Sequence, residues 1–129
     1  MANAKNNAKN AGTNANKFVS MLMNSRTQAH RFHLGTTSYA QHKALQAYYE
    51  NIVELFDDYA EAYMGKYGRM NGIQLNSRFM TDPEKAPAYF EALLGRIQQL
   101  DLPRDTYLRN IQDEIVGLIR KTLYMLSLK

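Results

Sequence analysis

The chain lacks cysteine and tryptophan, and it has few prolines and glycines. None of its 129 residues is Cys or Trp, three are Pro and seven are Gly. Without cysteine there are no disulfides, thiolate metal sites or cysteine nucleophiles, and this absence fits a reducing interior. The few chain breakers leave room for few turns. We expect one compact domain with a sizeable core, because the chain is too short for two.

Long apolar segments are also missing. No stretch approaches the roughly 20 apolar residues that a membrane-spanning helix needs. The first ten residues, MANAKNNAKN, lack the apolar core of a secretory signal. These absences predict a soluble protein that is not exported by that route.

Acidic residues are absent from the first part of the chain, up to Glu50. Residues 1–49 carry six basic side chains and no acidic one, whereas residues 50–129 hold ten basic and all twelve acidic residues. The formal charges are therefore +6 and −2, which sum to the net charge of +4. This asymmetry predicts a basic arm that favours a polyanionic partner, attached to a mildly acidic body.

Residues 1–16 are low-complexity Asn and Ala with two lysines, Lys5 and Lys9. After Met1 they contain no apolar side chain larger than Ala, so burial cannot offset the entropy of ordering. We predict a flexible arm over residues 1–16 and a folded domain over residues 17–129. Lys5, Lys9 and Lys17 are candidates for DNA binding through phosphate contacts. A solvated, solubilising tail explains the arm equally well.

Four segments of the folded domain repeat apolar residues at helical spacing. Their predicted spans are 17–34, 38–67, 82–100 and 103 to the C-terminus. Asn14 or Asn16 can cap the first, while Asp82-Pro83 and Pro103 open the third and fourth. Four amphipathic helices of this kind predict an all-α four-helix bundle.

Four residues, His30, His42, Asp57 and Glu61, are of types that bind transition metals through neutral imidazoles or ionised carboxylates. A short turn that begins at Gly35 lets His30 and His42 face one another across a helical hairpin. Asp57 lies roughly 22 Å beyond His42 along the second helix. One metal ion cannot span that gap. A shared site therefore requires two antiparallel copies of the second helix, related by a two-fold axis.

Each of these residues taken singly is more often a hydrogen-bonded or solvated side chain than a metal ligand. Their grouping within one part of the sequence is harder to explain if they are unrelated surface residues. All three histidines of the chain, His30, His33 and His42, fall within thirteen residues.

Residues 28–68 resemble the signature of a known family, which has a His, a glycine turn, a second His and then Asp-x-x-Ala-Glu. In this chain the last motif reads Asp57-Asp58-Tyr59-Ala60-Glu61. The family is the ferritin-like DNA-binding proteins from starved cells, Dps. The segment KTLYML, residues 121–126, is similar to the closing Dps helix.

The resemblance implies a ferritin-like four-helix bundle that assembles into a hollow shell of twelve subunits. Such shells bind Fe(II) between subunits, oxidise it and store the ferric product, and many bind DNA through lysine-bearing arms. By matching positions, His30 and His42 of one subunit and Asp57 and Glu61 of its two-fold partner would hold the iron. A cytoplasmic, nucleoid-associated location would follow.

The chain departs from the family pattern at two positions near the histidines. Gln46 stands where the family has a further carboxylate, and Arg31 stands where Trp is usual. An amide offers iron a dipole in place of a charge. Small uncharacterised phage-encoded proteins also resemble this chain. The alternative hypothesis is therefore a structural or assembly protein, such as a virion component, that reuses the bundle with a degraded metal site.

Overall fold

A computed structural model describes the backbone of residues 2–129 and the side chains of residues 13–129, and the regular secondary structure in that part of the chain is all helical. No strand occurs in that part of the chain. The four α-helices, labelled α1 to α4 in chain order, are Ala2–Gly35, Tyr39–Tyr67, Ala86–Gln98 and Thr106–Leu126. The prediction of an all-α protein with four helices is confirmed. Over the same residues, no helix combines the length and apolar character that crossing a bilayer requires.

Helices α1 and α2 form an antiparallel hairpin, as predicted. The turn ends at Ser38, whose hydroxyl accepts a backbone hydrogen bond at 3.2 Å and caps α2. Further from the turn, the hydroxyls of Ser25 and Tyr48 lie 2.6 Å apart. The rings of Phe18 and Tyr59 meet edge to face near the far end, with centroids 4.8 Å apart. The two helices therefore stay in contact from the bend as far as Phe18 and Tyr59.

Helix α1 starts well before Lys17, so the predicted start of the first helix is wrong. Ala15 is fully buried, and the Asn14 side chain donates to the Asp101 carbonyl at 3.1 Å. Asn14 and Asn16 are not caps, because both lie inside the helix. Alanine has the highest helix propensity, and packing against the loop before α4 adds tertiary contacts that the local sequence does not reveal.

A row of polar side chains on α1 holds the long connection between α2 and α3. We call this connection, residues 68–82, the crossover. Four residues at every fourth position of α1 lie on one face of the helix and form the polar row: Asn16, Ser20, Asn24 and Gln28. Each accepts a hydrogen bond of 2.8–3.2 Å from the crossover backbone. The donors are the N–H groups of Gly72, Gln74, Asn76 and Met80.

Two members of the polar row also donate to the crossover. The Asn24 amide donates to the Gln74 carbonyl at 3.1 Å, and the Gln28 amide donates to the Met80 carbonyl at 2.9 Å. These bonds satisfy backbone groups that have no partner in a helix or sheet. The crossover consequently follows α1 from its first half towards the hairpin turn.

The crossover determines the direction of the last two helices. Beside the hairpin turn, the Gln41 amide donates to the Pro83 carbonyl at 2.7 Å, so α3 starts at that end. At the other end, an ion pair between Lys66 and Asp105 joins the end of α2 to the start of α4. Thus α1 and α4 run one way, and α2 and α3 run the other. Both α1 and α4 pack against α2 and α3, which closes a bundle of four helices.

The third and fourth helices begin slightly later than predicted. Asp82 caps a short 3-10 turn, Pro83–Lys85, by accepting a hydrogen bond from the Glu84 N–H at 3.0 Å, and α3 follows it. Pro103 lies before α4 rather than in its first turn. The predicted third helix is thus present, but Pro83 stands at the first position of the turn that precedes it and not of the helix itself.

Asp105 stands at the start of α4 but binds the end of α2. Its carboxylate accepts hydrogen bonds from the Lys66 ammonium and from the Tyr67 hydroxyl, the latter at 2.6 Å. These two bonds lower the pKa of Asp105 from its usual value to about 2. The contact joins the end of α2 to the start of α4, which lie side by side at the same end of the bundle.

Replacing Gln28 by alanine should destabilise the protein by about 1–3 kcal/mol, because the Met80 N–H and carbonyl both lose their partner. Thr27→Ala is the matched control, since Thr27 is exposed on the same helix and should change stability by less than about 0.5 kcal/mol. Urea unfolding measures both variants. Equal free energies of unfolding for the two would show that the polar row does not hold the crossover.

Candidate metal centre

His33 of α1 and His42 of α2 form a reciprocal pair across the hairpin. His33 Nδ1 lies 2.8 Å from the His42 carbonyl oxygen, and His42 Nδ1 lies 3.0 Å from the His33 carbonyl oxygen. Their rings are stacked, with centroids 3.6 Å apart and planes 18° apart. The pair joins α1 to α2 one turn from the bend.

This geometry determines which ring nitrogen is available to a metal. A backbone carbonyl can only accept, so Nδ1 of each ring carries the donated hydrogen. In the neutral imidazole, Nε2 then keeps its lone pair. His33 Nε2 lies 3.5 Å from the Tyr49 hydroxyl, which is the donor there. For His42 Nε2 no hydrogen bond is seen among the described residues, so its lone pair is not engaged there. Metal-binding histidines commonly carry their other N–H on a backbone carbonyl in this way.

His30 completes a cluster of three imidazoles and one phenol at the hairpin end. Its ring stacks on Tyr49, with centroids 4.2 Å apart and planes 12° apart. The His30 and His33 rings are 5.7 Å apart, edge to face. His30 is exposed and His42 is half-buried. The predicted pair, His30 and His42, therefore lies in one cluster. The His33 ring contacts both of them, and Tyr49 contacts His30 and His33.

The ligand set predicted from the sequence, His30, His42, Asp57 and Glu61, did not include His33. The structure shows that His33 is buried and positions His42. Its position three residues after His30 puts both on one side of α1, which is a signal in the sequence. The reciprocal bonds depend on how closely α1 and α2 approach, which no spacing reveals.

The two predicted carboxylates lie elsewhere on the subunit. Asp57 and Glu61 are exposed on α2, one turn apart, and Asp57 is roughly 22 Å from His42 along the helix. Among the described residues of one chain, no group of three or more His, Asp or Glu side chains could hold a metal ion. A single subunit therefore provides the imidazoles and the carboxylates at separate places.

Gln46, which stands where the resembling family has a carboxylate, is bonded along its own helix. Its amide donates to the Glu50 carboxylate at 2.9 Å. A carboxylate is thus present one turn further from the histidines, on the exposed side of α2.

The predicted DNA-binding lysines are only partly described. Lys17 is exposed on α1. Lys5 and Lys9 lie outside the residues whose side chains are described, as do residues 1–12 of the predicted arm. DNA binding stays a prediction.

The fold and this cluster define an all-α bundle protein with an imidazole centre at one end of its first hairpin. The chain belongs to a family of unknown function (DUF5856), whose model matches residues 33–126. It is similar to an uncharacterised 14.6 kDa protein in the mobD-ri intergenic region of Enterobacteria phage T4. The two are 28% identical over 121 residues, which cover 89% of each chain. No solved structure matches the chain significantly.

The reciprocal bonds predict one tautomer for both histidines of the pair. In their neutral form, His33 and His42 should show a protonated Nδ1 and an unprotonated Nε2 in nitrogen-15 NMR of the imidazoles. His30, whose ring only stacks, serves as the internal reference. A protonated Nε2 on neutral His42 would contradict the geometry and remove the nitrogen offered to a metal.

Proposed function

We propose that this chain is a ferritin-like protein that binds Fe(II) between two subunits and oxidises it. His30 and His42 come from one subunit, and Asp57 and Glu61 come from the partner. The observation that carries this proposal is the orientation of His42, whose Nδ1 is bonded to a carbonyl while its Nε2 remains available.

The connectivity of the helices supports the ferritin-like assignment. Bundles of that class have one long crossover connection between two pairs of antiparallel helices. Here the crossover lies between α2 and α3, and α1 packs against α2 while α3 packs against α4.

Charge favours an antiparallel pairing of α2 with its copy. Residues 50–61 of α2 carry five acidic side chains and no basic one, and all five are exposed. The hairpin end carries Arg26, Arg31 and Lys43, also exposed. A two-fold axis midway between them places the basic end of each subunit against the acidic segment of the other, twice per dimer.

The donor set suits iron as a substrate. Imidazole nitrogens and carboxylate oxygens both bind Fe(II), and two carboxylates stabilise the ferric ion that forms when one electron passes to oxygen or peroxide. His42 is held for this role by its bond to His33, and Tyr49 holds the His30 ring by stacking. Asp57 and Glu61 are exposed, so a partner subunit can approach both.

Mixing two inactive variants tests whether the site is shared. His42→Ala and Asp57→Ala should each abolish iron oxidation. Dissociating and reassembling an equal mixture should restore about a quarter of the wild-type rate, because half of the dimers are mixed and one of their two sites is intact. The measurement is the rate of Fe(II) loss after addition of peroxide.

Glu91→Gln, which changes an exposed carboxylate on α3, is the control and should retain the full rate. A site built within one subunit would give no recovery on mixing. Full activity in either alanine variant would reject these residues as ligands.

The second candidate is a structural or assembly protein without iron chemistry. Its support is that hydrogen bonds to backbone carbonyls give His33 and His42 a structural role in the hairpin, and that Gln46 replaces a carboxylate. The phage origin of the T4 relative agrees with a phage role. If this second candidate is correct, the wild-type protein does not oxidise iron in the mixing experiment. Sedimentation then shows that both variants form the same dimers as the wild type.

A further inference from the structure

A surface cavity lies between α1, the crossover and the end of α3. Its volume is about 430 Å³. α1 contributes Lys17 and members of the polar row, the crossover contributes Gln74 and Asn76, and α3 contributes Arg96. His30, His33 and His42 do not line it, so this cavity is separate from the candidate metal centre.

Two cations from different helices converge on this cavity without a carboxylate partner. Lys17 and Arg96 are exposed at its wall, and no acidic residue lines it. In the described part of the chain the single salt bridge is the distant pair of Lys66 and Asp105. Two of the three wall segments add to the positive charge, because residues 13–35 of α1 and residues 68–81 of the crossover contain no Asp or Glu. The third, α3, carries Glu91, which does not line the cavity. The local potential therefore favours an anion.

The lining chemistry indicates binding rather than catalysis. Among the described lining residues there is no His, Asp or Glu to transfer a proton. Besides the two cations, the wall offers the side-chain amides of Gln74 and Asn76. The crossover N–H groups of these two residues already bond to Ser20 and Asn24, so the wall is held in place before any ligand arrives.

We propose that this cavity binds the phosphate group of a small phosphorylated molecule, with Lys17 and Arg96 as its two cationic contacts. Arg96 supplies a planar guanidinium that can hold two phosphate oxygens at once, and Lys17 supplies a point charge. The volume falls within the range of roughly 300–1,000 Å³ that small-molecule sites occupy, so a nucleotide fits as well as a free phosphate. This site is independent of the proposed iron chemistry.

Calorimetric titration of the full chain with ATP, and separately with inorganic pyrophosphate, tests the site. We expect binding of at least one of them, weakened roughly tenfold by Lys17→Gln and by Arg96→Gln, since each removes a charged hydrogen-bond donor. Asn76→Asp should weaken binding similarly, because it introduces a negative charge in an isosteric side chain. Binding of ATP alone identifies a nucleotide, and equal binding of pyrophosphate identifies the phosphate group as sufficient.

Arg120→Gln is the matched control, since it removes one exposed charge from α4 and should leave binding unchanged. An equal loss of binding in this variant would show that only the overall charge of the protein matters, and it would overturn the proposal. Failure of both probes to bind would overturn it as well. Binding of a short duplex oligonucleotide without either small probe would replace it with a nucleic-acid surface.

Discussion

The bonds between the polar row of α1 and the crossover backbone are the constraint on which the rest of the structure depends. A connection of this length has many unpaired N–H and carbonyl groups, and burial against a helix would be unfavourable if they stayed unpaired. Four side chains at every fourth position pair them. As a result α3 starts beside the hairpin turn, α2 and α3 run in the same direction, and α4 returns beside α2.

The same constraint separates the two sides of α1. One side holds the crossover and, with Arg96, forms the cavity of basic and amide side chains. The other carries His30 and His33 against α2, where the imidazole cluster forms. Because α2 presents only acidic charges between residues 50 and 61, a basic and an acidic region meet if two hairpins pair. The proposed iron site and the proposed phosphate site thus follow from different faces of one helix.

Local sequence was sufficient for the elements whose partners are near in the chain. Apolar spacing predicted α2 almost to the residue, and Asp82-Pro83 predicted the start of α3 to within about one turn. The local sequence did not predict the start of α1, because Asn14 and Asn16 form hydrogen bonds with residues far along the chain. The spacing of His30 and His42 predicted a hairpin cluster. The stacking that makes His33 part of it depends on the distance between helices, which periodicity does not encode.

The proposed iron site requires that two copies of α2 lie antiparallel about an axis near Glu50, midway between His42 and residues 57–61. Since the chain has no cysteine, a single Glu50→Cys variant tests this directly by cross-linking with a short bismaleimide. If the two helices pair in this way, the Glu50→Cys variant forms a covalent dimer. Asn51→Cys should cross-link little, because Asn51 is exposed on the same helix but points about 100° away. Monomer in the Glu50 variant, or equal cross-linking at the two positions, would contradict the paired arrangement.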